Sequence, residues 1–259
     1  MTGATEVVAA VARDFPEVTT AGPGLWLVGG AVRDALLGRS SPDVDFAGPA
    51  AGAKAAAFAR ATGGRLVPLG RERFPTWRVV VEGRVYDFSD LTGEDIAADL
   101  GRRDFTINAL AAPLEGGGSL EDPFGGIADL EARVVRMLSR RNLVEDPLRV
   151  LKAVRMAAAL GFDVDPATRE ACRELAAELR RVAPERIGAE LEIIFGSADL
   201  RRAADLLRDT GIDRVVFGRP IPEALAGAGG DPVVAWAAIF RGADPGALRT
   251  VAAELRWPS

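Results

Sequence analysis

Residues 25–46, LWLVGGAVRDALLGRSSPDVDF, constrain the local fold more than any other stretch of the chain. Leu25-Trp26-Leu27-Val28 is an apolar run with the length and composition of a buried strand. Gly29 and Gly30 follow it, then a short helical pattern, and Val44 opens a second strand. Without Cβ atoms the two glycines let the backbone approach a phosphate closely, and the helix that follows points its N–H groups there. Arg33, in the first turn of that helix, is placed to supply the charge a triphosphate needs. Asp43 and Asp45 flank Val44. Alternate residues of a strand share a face, so both carboxylates point one way and form a hard-oxygen site suited to Mg²⁺. Each element alone is common: a glycine pair is usually only a turn, and an Asp-x-Asp pair is usually a solvated strand end. Their order and close spacing point to nucleotidyl transfer.

The composition removes competing chemistries. The 259 residues include no histidine and one cysteine, Cys172. Ser-His-Asp and Cys-His nucleophile systems are therefore excluded in their usual form, as are histidine-bearing zinc sites and an internal disulfide framework. Cys172 sits in a helical pattern and reads as a packing residue. Phosphoryl transfer suits what remains, because it needs positioning and charge stabilisation more than a protein nucleophile. The net charge of −5 is not that of an indiscriminate nucleic-acid binder. Basic residues nevertheless cluster at Arg71 and Arg73, Arg102 and Arg103, Arg136, Arg140 and Arg141, and Arg149, Lys152 and Arg155. No run of about 18 apolar residues exists, so no membrane span is expected. The N-terminal MTGATEVVAAVARDF lacks a basic n-region and reads as a short amphipathic helix. A cytoplasmic location is expected, with no membrane partner.

From about residue 24 to 112, strand-like runs alternate with helical patterns. The strands expected are Leu25–Val28, Val44–Phe46, Arg65–Pro68, Trp77–Val81 and Arg84–Phe88, the last two joined by Glu82-Gly83 as a hairpin. After residue 125 the pattern is helical almost throughout, rich in Ala, Leu, Arg and Glu. Glu115–Ser119 and Asp122–Gly126 are the breakers between these regimes. The expected class is α+β: an N-terminal helix (1–23), a head with a mixed sheet and helices (24–112), then an all-α neck (113–180) and helical body (181–259). The chain stops in what reads as mid-body, as a compact form or a fragment would.

Two further blocks carry charge into apolar surroundings. Arg102-Arg103-Asp104-Phe105-Thr106-Ile107-Asn108-Ala109-Leu110 reads at its plainest as a charged helix start, with Asp104 near the N-terminus. Glu145-Asp146-Pro147-Leu148-Arg149-Val150-Leu151-Lys152-Ala153-Val154-Arg155 reads as a helix with Pro147 in its first turn. On that helix Asp146 and Arg149 share a face, Lys152 lies close by, and Arg155 rotates toward the opposite side. The plain reading is a cap and a solvated basic face. The functional reading is more specific. Cytosine and adenine both present an exocyclic amine beside a ring-nitrogen acceptor, which a carboxylate and an arginine match. Guanine and uracil present the reverse pattern and would leave both protein groups unpaired.

In order, these blocks resemble the DNA polymerase β-like nucleotidyltransferases, and within them the bacterial tRNA nucleotidyltransferase and poly(A) polymerase family, the class II CCA-adding enzymes. The segment RRDFTINA is similar to the family's ribose- and phosphate-contacting motif. The resemblance implies that Arg103 binds the incoming triphosphate, with Asp104 and Asn108 on the sugar side. Asp146 and Arg149 match its EDxxR base-reading motif; Lys152 stands where the family usually has arginine, which keeps the charge and loses the planar fork. Asp122–Leu130 resembles its DPFGGxxDL hinge, and Glu185–Leu191 its supporting ERIxxEL helix. The implied mechanism has two Mg²⁺ ions on Asp43 and Asp45, one at the RNA 3′-hydroxyl and one on the triphosphate. Asp87 is the candidate third carboxylate, with Asp90 competing if the strand register slips. The implied partners are a tRNA 3′ end and CTP, with ATP an alternative.

One departure bears on product. Full CCA-adding relatives carry an arginine-containing flexible loop between the Asp87 strand and the RRD segment, and here Phe88–Asp99 is too short to hold it. Addition of two cytidines is therefore expected, against full CCA addition. Leu69–Phe74 resembles a segment typical of the poly(A) polymerase branch, which shares nearly all these motifs. A non-catalytic RNA-binding module with the same fold is the remaining alternative, disfavoured by the intact Asp43/Asp45 pair.

Overall fold

The computed structural model describes residues 3–69, 75–115, 118–197, 199–223, 225 and 231–241. The chain forms two compact units that divide after Leu130.

In the first unit α1 (Ala4–Asp14) turns Ala4, Val7 and Val11 inward, while Glu6 accepts a hydrogen bond from the Gly3 N–H at 3.0 Å. A 3₁₀ turn, Pro16–Thr20, leads to β1 (Trp26–Val28) and α2 (Gly30–Leu36). Then come β2 (Val44–Ala47), α3 (Ala51–Thr62), β3 (Arg65–Leu69), β4 (Thr76–Val81) and β5 (Arg84–Ser89). The unit closes with α4 (Ile96–Leu100), a 3₁₀ turn at Thr106–Asn108, β6 (Ala111–Pro113) and the start of α5 (Gly126–Ala132). The six strands make one mixed sheet in the order β3-β4-β5-β2-β1-β6, with β2 and β5 parallel and the other pairs antiparallel. The Glu82-Gly83 turn joins β4 to β5 with both residues at positive φ, 49° and 85°, as a two-residue hairpin twisting with its strands requires.

Alternation decides the two faces of this sheet. Val44, Phe46, Tyr86, Phe88, Val79 and Val81 are buried, and the residues between them on β2, β4 and β5 include Asp45, Asp87 and Arg78. On the core face, Phe46 packs on Phe88 with ring centroids 4.7 Å apart, and Phe58 of α3 covers Tyr86 at 5.0 Å and Phe88 at 5.3 Å. Full burial of such rings contributes about 1.5–3 kcal/mol each. The Tyr86 hydroxyl on this face donates to Glu17, which also takes both arms of Arg84. Burial pushes the Tyr86 phenol upward.

The second unit is mainly helical: α6 (Arg140–Glu145), α7 (Leu148–Leu160), α8 (Pro166–Leu175), α9 (Pro184–Phe195), α10 (Leu200–Asp209), α11 (Ile212–Phe217) and α12 (Pro232–Ile239). α7 is its axis, packed against α8, α9 and α10. Phe195, Phe217, Trp236 and Phe240 form a second aromatic cluster. Two strand pieces, β7 (Val134–Val135) and β8 (Asp163–Val164), pair in parallel beside α7. Neither these nor β6 shows in the sequence, because two or three residues are too few for alternation to register. Cys172 is buried, and burial pushes its thiol up to about 12, so it is an inert packing group. No helix among the described residues is long and apolar enough to cross a membrane.

Candidate active site

The sheet register sets the site. Asp45 of β2 pairs with Asp87 of β5, and Asp87 pairs with Arg78 of β4. Paired residues on neighbouring strands project to the same side, so Arg78, Asp87 and Asp45 form a row across three strands, on the face opposite the aromatic core. Asp43 lies one residue before β2 rather than within it. Burial pushes the Asp45 carboxyl up to about 6, helped by the negative charges of Asp43 and Asp87 and opposed by Arg103 and Arg78. Arg78 pairs with one of these carboxylates: its Nε donates to Asp87 Oδ1 at 2.8 Å and its Nη2 to Oδ2 at 2.7 Å. Among the described residues no set of three or more acidic, histidine or cysteine side chains converges into a ready metal cage. The carboxylates of Asp43 and Asp45 are hard oxygen donors of the kind Mg²⁺ takes, one or two from a protein with the rest of its sphere from water and substrate. Asp90 is not a rival third ligand. Its Oδ1 accepts from the Ala51 N–H at 2.8 Å and caps α3.

The glycine turn meets this row. Gly29 has φ 71°, and its N–H donates to the Leu110 carbonyl at 3.1 Å. A Cβ there would stand 2.7 Å from Arg103 Nη1 and 3.7 Å from Asp45 Oδ2. The space a side chain would fill is thus held by the Arg103 guanidinium beside Asp45. Arg103 Nη2 also reaches Asp99 at 3.3 Å. Asp104 Oδ1 accepts from the Phe105 N–H at 2.8 Å and from Asn108 Nδ2 at 2.9 Å. The segment is a 3₁₀ turn rather than the helix its composition suggests.

Arg33 departs from expectation. Its Nε and Nη2 donate to the two oxygens of Asp34 at 2.9 and 2.7 Å, and its Nη1 donates to Asn108 Oδ1 at 2.7 Å. Arg33 is only 9 % exposed and Asp34 5 %. The charge of Arg33 is offset by its neighbour, and the guanidinium, which lies 3.6 Å from where a Cβ on Gly30 would stand, braces the Asn108 amide. Asp34, which sequence reasoning passed over, is what makes it a brace.

Downstream, both Asp122 oxygens accept from the start of α5, Gly126 N–H at 2.6 Å and Ile127 N–H at 3.0 Å. Asp129 accepts from Thr106 Oγ1 at 2.6 Å. A Cβ on Gly126 would run into the Thr106 carbonyl, so this joint closes only with glycine.

In the second unit Asp146 is not on a helix. It lies between α6 and α7 with extended backbone, φ −134° and ψ 92°, so the shared helical face with Arg149 does not exist as expected. Pro147 confines the preceding residue to extended backbone. Asp146 Oδ2 accepts from Arg186 at 3.0 Å, and Arg149 Nη1 donates to the Asn142 carbonyl at 3.1 Å. Lys152 is partly buried on α7. Arg155, the remaining nucleotide-binding candidate of this segment, forms an ion pair with Glu190 at 2.7 Å that links α7 to α9. Of the poly(A)-polymerase-like segment Leu69–Phe74, residues 70–74 lie outside the described residues.

Comparison with known proteins bears directly on this arrangement. Residues 25–96 and 78–136 match the poly A polymerase head domain, and residues 161–225 match the probable RNA- and SrmB-binding site of polymerase A. The chain is 42 % identical over 212 residues to the A-adding tRNA nucleotidyltransferase of Deinococcus radiodurans, covering 80 % of this chain and 47 % of that protein. It belongs to the tRNA nucleotidyltransferase and poly(A) polymerase family. A second relative, the CC-adding tRNA nucleotidyltransferase of Geobacter sulfurreducens, is 44 % identical over 203 residues, 76 % of this chain and 46 % of that protein. The chain spans about half the length of these curated relatives. Its fold is that of the Thermotoga maritima CCA-adding enzyme solved with tRNA, with TM-score 0.85 at 23 % identity over 99 % of this chain and 70 % of the other. Family membership leaves the nucleotide to be added open, since relatives of similar identity carry different names.

Proposed function

We propose that this protein extends the 3′ end of tRNA without a template, adding cytidine from CTP. The observation that carries the reading is the convergence of Asp45, Arg103 and the Gly29 turn, with Asp87 the register partner of Asp45. Asp43 and Asp45 would hold the divalent cations. When bound, these lower the pKa of the RNA 3′-hydroxyl and neutralise the departing pyrophosphate. The 3′-oxygen attacks the α-phosphorus, the bond to the bridging oxygen breaks, and pyrophosphate leaves in line. Arg103, beside Asp45, is placed to hold the triphosphate. Arg33 keeps the Asn108 amide oriented, and Asn108 in turn holds Asp104 on the sugar side. By resemblance to the family's base-reading motif, Asp146 and Arg149 would choose between bases.

The short segment after β5 supports restriction to cytidine. Only residues 90–95 separate Ser89 from α4. That stretch is pinned by the Asp90 cap on α3, by Asp95 accepting from Ala98 N–H at 2.8 Å, and by Thr92 N–H donating to Asp99 at 3.0 Å. A pocket that must enlarge from cytosine to adenine needs a movable element, and this one is short and tied.

The test is to incubate the protein and Mg²⁺ with tRNA ending at the discriminator base, supplying each nucleotide separately, and to sequence the 3′ ends. Two added cytidines are expected with CTP, and no added adenosine when ATP follows. A complete CCA end overturns the restriction. Adenosine added only to tRNA already ending in CC makes the protein an A-adding enzyme, like its Deinococcus relative. Long A tails on unrelated RNA assign it to the poly(A) branch.

A further inference from the structure

We propose that Arg78 is a positioning residue that withholds Asp87 from the divalent-cation site, limiting the protein's own ligands to Asp43 and Asp45 until nucleotide arrives. The inference rests on the proposed cation site. Two observations converge on it. The register puts Asp87 directly beside Asp45. Both Asp87 oxygens are taken by the planar fork of Arg78, at 2.7 and 2.8 Å, with the Asp87 side chain 14 % exposed and Arg78 39 %.

The pairing is built in rather than incidental. Arg78 and Asp87 face each other across a hairpin whose two-residue turn fixes their register. A bidentate arginine fixes a carboxylate in orientation as well as in charge. The consequence is a site too poor in ligands to hold Mg²⁺ firmly alone, which becomes complete when triphosphate oxygens join it. The cation and the nucleotide then load together.

Manganese binding to the nucleotide-free protein tests this, followed by electron paramagnetic resonance of the free ion. Arg78→Gln releases Asp87 and removes one opposing charge, and is expected to lower the Mn²⁺ Kd about tenfold. Arg78→Lys keeps the charge but loses the fork, and is expected to lower it about threefold. In the double variant Arg78→Gln/Asp87→Asn the affinity returns to within about threefold of wild type. A thermal melt accompanies each variant, and where Arg78→Gln loses its cooperative transition, Arg78→Lys decides. An unchanged or weakened Mn²⁺ affinity in the folded variants overturns the proposal. So does a double variant that binds as tightly as Arg78→Gln, since Asp87 would then not be the group released. Arg78→Lys at wild-type affinity beside a tight Arg78→Gln also overturns it, because charge alone would be acting. Asp45→Ala separates this from the larger reading: Mn²⁺ affinity undiminished in Asp45→Ala removes the cation site itself, whereas affinity lost there but unmoved by Arg78 removes only the role of Arg78.

Discussion

Two acid–base groupings in this molecule are built on different backbones. Arg78, Asp87 and Asp45 stand on three hydrogen-bonded strands, where register fixes which side chains adjoin. Asp146 and Arg149 stand at the entry to a helix, one on extended backbone and one in the first turn, each engaged with a different neighbour. A sheet passes sequence spacing into geometry almost unaltered, because each pairing constrains the next. A helix start does not, because the residue before the first turn can leave the spiral altogether.

The largest expected effect lies on the sheet. Asp45→Ala should reduce cytidine incorporation on the order of a thousandfold, a loss of about 4 kcal/mol in transition-state stabilisation. A single-turnover assay at saturating CTP checks it, and wild-type rates would leave the strand row without a catalytic part. Next comes the helix entry. Asp146→Ala should cut the preference for CTP over UTP about a hundredfold while slowing chemistry less, because an unpaired acceptor no longer penalises the wrong base. Comparing kcat/KM for the two nucleotides measures this, and an equal loss for both would assign Asp146 to structure.

How the two regions read from sequence follows the same division. The hairpin turn at Glu82-Gly83 sets Arg84 opposite Val81, and counting outward sets Asp87 opposite Arg78. That pairing was available from the sequence and lacked only the step of counting. The core was equally legible, since Phe46, Tyr86 and Phe88 follow strict alternation. The partners of Arg33 are not legible in the same way, because the helical pattern specifies where a guanidinium starts, not which acid claims it. The adjacent Asp34 was the available sign. The apolar stripe of Leu148, Leu151 and Val154 runs up to Asp146 and suggests a helix there, whereas the following proline argues for the extended backbone observed. β6 and the parallel pair β7–β8 are fixed by their neighbours and not by their own residues.

Two smaller effects sharpen the contrast. The folded state raises Asp45 from 3.8 to about 6, so folding takes up a proton between those values and stability falls as pH rises through that window. Asp45→Asn removes the penalty. In metal-free buffer above pH 6 it should gain up to roughly 2 kcal/mol, about 4 °C in melting temperature, with no gain near pH 4. A gain that persists at pH 4 would show that crowding rather than charge is relieved. On the helical surface, Arg173→Ala breaks the exposed pair with Asp209 that links α8 to α10. It should cost less than about 1 kcal/mol by denaturant titration; a larger loss would mean that helix-borne pairs carry as much as strand-borne ones.

The tied joint between β5 and α4 has a consequence for how such proteins diverge. Its flanks are anchored by Asp90 on one side and Asp95 on the other, so extra chain spliced between them would bulge outward without disturbing either strand of the acidic row. Each doubling of such a loop costs only about 0.6 kcal/mol in closure entropy. On the proposed reading, a single insertion or deletion here would change the nucleotides added while leaving the chemistry of bond formation untouched.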